Sequence, residues 1–158
     1  MKLSLRKGLS FGLTSAVITT LGLITGLDSS TGSRLVIISG IITIAIADAF
    51  SDALGIHVSV ESENSSTPRE IWEATISTFL AKLIFALSFL VPFIVFSIQL
   101  AFWISIVWGM IVLSSVSYQL AREQKLKPIK VIREHLFIAI LVLTLGHYLG
   151  RLIALYLN

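Results

Sequence analysis

The chain has 158 residues, enough for one domain, of which 55% are hydrophobic and only 13% charged, about half the charged share of an ordinary soluble domain. A water-soluble globule of this size cannot hide that much apolar surface, so the excess must face lipid, and crossings of about 20 residues each leave little chain for a soluble catalytic domain, a nucleic-acid module or a disordered scaffold. There is no cysteine, which excludes disulfides, thiolate metal sites and thiol nucleophiles, and the formal charge of +3 matters only by the side on which each charge lies.

In chain order, five apolar stretches run over Leu9–Leu27, Leu35–Val58, Ile76–Ile98, Leu100–Tyr118 and His135–Leu157. A bilayer admits only helices or closed barrels, and each stretch is near the length of a helical crossing, so the expected fold is all-α: a single polytopic domain, a five-helix transmembrane bundle. The first stretch follows Lys2, Arg6 and Lys7 and precedes Ser29, Ser30 and Gly32, the outline of a signal peptide. Its core is longer than a signal's and no A-x-A-like site follows, so it reads as a membrane helix. The third and fourth stretches are separated only by Ser97, Ile98 and Gln99, and Pro92 is expected to kink or end the third. Four helices with a re-entrant hairpin is the alternative count. Thr67-Pro68-Arg69-Glu70 fits a capping box with proline at the first helical position, so the third helix is expected to start ahead of the membrane, as an extension carrying Glu70 and Glu73.

Lysine and arginine set the orientation. Lys2, Arg6 and Lys7 precede the first helix; Arg122, Lys125, Lys127, Lys130 and Arg133 lie between the fourth and fifth; only Arg34 separates the first two. The positive-inside rule puts the N-terminus, the Glu61–Thr75 connection and the Ala121–Glu134 connection in the cytoplasm and the C-terminus outside. The sequon Asn64-Ser65-Ser66 then faces the cytoplasm and carries no weight. The basic connection mostly sets topology, although it suits anionic headgroups too.

An ionisable side chain at membrane depth costs about 3 kcal/mol or more and marks a site by default. The set here is Asp48 and Asp52 in the second helix, Lys82 in the third, and His147 and Arg151 in the fifth. Asp48 and Asp52 are one turn apart, and Ser51, Gly55, Ser59 and Glu63 fall on the same arc, while His57 points the other way. Two carboxylates so close in low dielectric repel, and a bound cation or a proton relieves them. The structural reading is that they pair with Lys82 or Arg151. Counted from the apolar boundaries, Asp48 falls toward the cytoplasmic half, Lys82 near the start of its span is expected to snorkel to the cytoplasmic interface, and Arg151 to snorkel outward. For His147 a packing or hydrogen-bonding role is expected.

On the first helix, Gly8, Gly12, Ser15, Thr19, Gly22 and Gly26 fall within an arc of about 80°. Such a seam lets backbones approach closely, either inside the bundle or between two copies of the chain; Gly146 and Gly150 repeat it in the fifth helix.

Two of these segments are specific enough to compare. Phe11-Gly12-Leu13-Thr14-Ser15-Ala16-Val17-Ile18-Thr19-Thr20-Leu21-Gly22-Leu23-Ile24 resembles the first-helix motif of the vacuolar iron transporter family, and Ala47-Asp48-Ala49-Phe50-Ser51-Asp52-Ala53-Leu54-Gly55 with Ser59 and Glu61 resembles its second-helix motif. Pro92 and Gly146-His147-Tyr148-Leu149-Gly150-Arg151 fit more loosely. The resemblance implies five helices, a homodimer with a metal pathway lined by the first two helices, and proton-coupled export of Fe²⁺ or Mn²⁺ from the cytoplasm. Family members usually carry Asp-Gly where this chain has Ser15-Ala16 and often methionine where it has Asp52, as if a carboxylate had moved from the first helix to the second. A carboxylate in place of a thioether hardens the site toward Mn²⁺.

The expected function is therefore a divalent-metal transporter. Its ligands would be Asp48 and Asp52 with Ser15 and Ser51; Glu61, Glu63, Glu70 and Glu73 would gather metal at the cytoplasmic mouth. The expected partners are the bilayer, the transported iron or manganese ion and a second copy through the first helix; no other cofactor and no nucleic acid are expected. The rival is a non-transporting scaffold that keeps the fold. An enzyme has little support, because no HExxH, no Ser/His/Asp arrangement and no nucleotide-binding loop is present.

Overall fold

The computed structural model describes residues 2–63 and 65–157, so Asn64 of the sequon lies outside the described residues. Among the described residues six helices follow one another: α1 (Leu3–Thr31), α2 (Arg34–Glu61), α3 (Pro68–Ser88), α4 (Leu90–Val95), α5 (Ile98–Glu123) and α6 (Pro128–Leu157). No strand occurs among the described residues. α3 and α4 together make one apolar stretch, Pro68–Val95, so there are five helical segments long and apolar enough to cross a membrane. The all-α bundle read from the sequence is the fold observed.

The helices overrun the apolar stretches. α6 starts at Pro128 rather than near His135, and α1 begins at Leu3. Backbone hydrogen bonds are satisfied within a helix in water as well as in lipid, so the apolar slab marks only the middle of each element. The break between α3 and α4 has a local cause. Pro92 has no N–H to give to the carbonyl of Ser88, and the backbone tightens at Phe89, whose N–H bonds Ala86 O at 3.2 Å. Phe96 and Ser97 then turn the chain directly into α5. At the start of α3 the capping box is complete: Thr67 Oγ1 accepts from the Glu70 N–H, and the Glu70 carboxylate accepts from the Thr67 N–H at 2.9 Å.

α1 is the central helix, packed against α2, α3, α5 and α6. Its glycines explain why. A Cβ on Gly12 would lie 2.7 Å from Thr78 O of α3, and one on Gly22 would lie 2.8 Å from Val142 of α6. The small-residue seam is thus filled inside the chain, its first half by α3 and its second by α6, where Gly146 and Gly150 return the close approach. Within α1 only Leu3, Phe11 and Thr31 are exposed, so a dimer built on this seam would have to displace α3 or α6. Around α1 the core is mostly apolar: Val17, Leu21 and Ile24 meet Ile37, Ile41, Phe89, Phe93 and Leu113, with Thr20 and Thr25 of α1 and Ser105 of α5 also buried.

The outside is as greasy as the inside. Ile42, Ile46, Phe50 and Leu54 on α2, Trp103, Val107 and Ile111 on α5, and Ile140, Leu145, Leu149 and Leu152 on α6 are all exposed, a surface that only lipid accommodates.

Ion pairs group the chain segments at one end and hydrogen bonds those at the other. Lys2 meets Glu73 at 2.6 Å, Lys7 meets Glu63 at 2.7 Å and Arg6 meets Glu123 at 3.5 Å, so the N-terminal tail shares one end with the α2–α3 and α5–α6 connections. At the opposite end Arg34 donates to Phe96 O at 2.8 Å, and Ser29 Oγ lies 2.8 Å from His147 Nδ1. The hydrogen-bonding role expected of His147 is the one it has.

Candidate cation site

The site forms where α1, α2 and α3 come closest. From Ala45 to Ala53 every fourth residue on the inner face of α2 is a buried alanine, while the same line nearer the start of α2 carries Ile37 and Ile41; on α3, Ala74, Thr78 and Ala81 are buried against Gly8 and Gly12 of α1. Without bulk on that line the backbones approach, and the side chains flanking it can reach across. Asp48 and Asp52 lie beside the alanine stripe and meet Lys82 of α3, which also reaches Ser15 of α1.

Lys82 Nζ lies 2.5 Å from Asp48 Oδ2, 2.6 Å from Asp52 Oδ2 and 2.5 Å from Ser15 Oγ. It hydrogen-bonds to Asp52 and Ser15, while its contact with Asp48 is an ion pair without hydrogen-bond alignment. The Lys82 side chain is 1% exposed, Asp48 23% and Asp52 17%. Lys82 therefore does not snorkel. Counted from the capping box rather than from the first apolar residue, it stands midway along Pro68–Val95, and Asp48 stands midway along Arg34–Glu61. The sequence held part of this signal: a helix that starts at Thr67 puts Lys82 about 22 Å along its axis, well inside the element rather than at its end. Arg151 takes no part; it is exposed on α6 and makes no ion pair among the described residues.

The remaining expected ligands lie elsewhere. Ser51 is exposed on the outer side of α2 with Ala47, Gly55 and Ser59 and makes no hydrogen bond to the cluster. A turn of 100° per residue puts it on the far flank of the Asp48–Asp52 line, which the shared arc concealed. Glu61 is exposed at the end of α2. Glu63 is held by Lys7, and Glu70 is used by the capping box. Glu73 receives Lys2 Nζ at 2.6 Å, Ser4 Oγ at 2.8 Å and Arg69 Nε at 2.9 Å. These donors, Lys2 foremost and then Ser4, hold the Glu73 carboxyl down at about 2, in the part of α3 ahead of the membrane. Among the described residues no group of three or more His, Cys, Asp or Glu is placed to hold a metal ion. Three of the four glutamates are thus held by separate partners, with Glu61 left exposed, and they form no cluster among the described residues. His57 faces α3, with Nδ1 2.9 Å from Thr75 Oγ1 and its ring edge-on to Trp72.

With every group ionised, two carboxylates and one ammonium leave the site one negative charge in excess. The hydroxyl of Ser15 supplies a neutral oxygen. Chemically this is a hard oxygen site whose resident cation is a lysine.

A scan against models of known protein families finds no match, and neither does a search of curated proteins. The resemblance to vacuolar iron transporters rests on the motif residues of α1 and α2.

Proposed function

We propose that the chain is a membrane transporter for cations, in which Asp48, Asp52 and Ser15 hold the ion and Lys82 holds the carboxylates when the ion is away. One observation carries the reading: the charge at mid-depth does not balance. A pair kept only to fasten helices needs one acid and one base, and an additional carboxylate at the bilayer centre is disfavoured by about 3 kcal/mol or more unless a cation or proton joins it. The hard oxygen donors favour a divalent ion such as Mn²⁺ or Fe²⁺ over softer metals. Protons compete for the same oxygens, which couples release of the ion to proton uptake. With the basic end in the cytoplasm, as the positive-inside rule has it, the direction is export.

A second copy of the chain fits this reading through α2 rather than α1. Ala47, Ser51, Gly55 and Ser59 are exposed next to the partly exposed Asp48 and Asp52. Two copies meeting there would bring two excess negative charges together, and one divalent ion between them would restore neutrality.

Uptake of Mn²⁺ into proteoliposomes tests the function. Asp48→Asn and Asp52→Asn should each lower the rate about tenfold or more, the effect expected when a charged ligand is lost from a buried site. If both variants transport like the unaltered protein, the site is misassigned.

The contact of Lys82 with both carboxylates favours a second reading, a scaffold in which the trio only locks α1, α2 and α3 together. Thermal unfolding in detergent separates the two, since a transporter should be stabilised by Mn²⁺ in proportion to its concentration and a scaffold should not respond.

A further inference from the structure

The start of α6 carries a pattern that the cation site does not use. Ile129, Lys130, Arg133, Glu134, Phe137 and Ile140 share one open face of α6. Ile129 and Phe137 are 65% and 67% exposed, so no other part of the chain covers this face. Along it the chemistry changes with depth: Lys130 and Arg133 lie nearest the basic end of the bundle, and Phe137 and Ile140 lie about 10 Å further into the apolar zone. That is the layout of a phospholipid, phosphate above and acyl chain below.

Charge points the same way. Arg122, Lys125 and Lys127 stand on the adjoining connection, and among the described residues Lys125, Lys127 and Arg133 have no ion-pair partner. The nearby acids are engaged: Glu123 is 3.5 Å from Arg6, and Glu134, the one carboxylate on this face, is 3.9 Å from Lys130. Lys125 has φ 58°, the left-handed position after α5 that glycine usually fills, with Leu126 N–H closing onto Ala121 O at 2.8 Å. A long basic side chain thus stands where the backbone favours glycine. Lys127 and Lys130 also sit at the positive end of the α6 dipole, where an anion and not a cation is favoured locally.

We propose that this face of α6 binds an anionic phospholipid of the adjacent leaflet, its phosphate on Lys130 and Arg133 and an acyl chain along Phe137 and Ile140. The site is independent of Asp48 and Asp52. Native mass spectrometry of the full chain tests it, with phosphatidylglycerol and phosphatidylcholine of the same acyl chains added at equal concentration. The unaltered protein should retain phosphatidylglycerol about tenfold more, the effect of two basic side chains at an anionic surface. Lys130→Gln with Arg133→Gln should abolish the preference; Lys130→Arg with Arg133→Lys, and Arg34→Gln at the opposite end, should preserve it. Equal retention of the two lipids by the unaltered protein, or a preference that survives the double glutamine variant, overturns the proposal. Glycerol phosphate at the same concentration should leave the lipid bound; displacement would mark a site for free phosphate and also overturn it.

Discussion

An ammonium group midway along a membrane helix is tolerable here because three oxygens surround it, and the same oxygens are tolerable because of the ammonium. Removing one side of such an arrangement is far worse than never having had it. Lys82→Met should therefore destabilise the protein by about 3 kcal/mol, read as a lower unfolding temperature in detergent, and Asp48→Asn added to it should recover part of the loss. No recovery would mean that the carboxylates do not depend on Lys82. At the water-side end Glu73 makes a different prediction. Its carboxyl is depressed from 4.5 to about 2 in the folded protein, so the stabilisation it gives is complete above the ordinary carboxylate range and is lost as pH falls through about 2. Glu73→Gln should speed hydrogen exchange in the Lys2–Arg6 tail at neutral pH, and the difference from the unaltered protein should vanish by about pH 2.

Among the elements, α1 has the least freedom to change because its glycines are where two other helices make contact. Gly12→Leu should prevent α1 and α3 from closing and cost more than about 2 kcal/mol, whereas Gly55→Ala, with nothing within 4 Å of the added carbon, should change stability by less than about 0.5 kcal/mol. Thermal unfolding of the two variants side by side checks this, and equal effects would count against the packing described. The existence of each helix was legible in the apolar stretches, the start of α3 in its capping box, and the α3–α4 kink in Pro92. The true lengths of α1 and α6 were not, because a helix continues past the lipid boundary without any change in its own hydrogen bonding. Among candidate ligands, Asp48 and Asp52 could be marked from depth alone; Ser51 could not be separated from them by arc, since only the position of α3 decides which flank of α2 is inward.

At the scale of the whole molecule, the two ends differ in charge, with the N-terminal tail and the α2–α3 and α5–α6 connections together at the basic end. The chain has no cysteine, so single ones can be introduced as reporters. Ser65→Cys and Ser33→Cys should react with a membrane-impermeant maleimide from opposite sides, Ser65→Cys from the cytoplasmic side; labelling of both from one side would break the five-crossing topology. The all-α membrane class and the segregation of basic residues were determined by the sequence itself, because they depend on apolarity and charge summed along a single strand of chain. Which neighbour fills the glycine seam of α1, and that Lys82 and not Arg151 meets the paired aspartates, was decided only by the tertiary structure. Those outcomes depend on how each helix is rotated about its own axis against the others, and in a bilayer nearly every rotation offers lipid an acceptable face until close packing selects one.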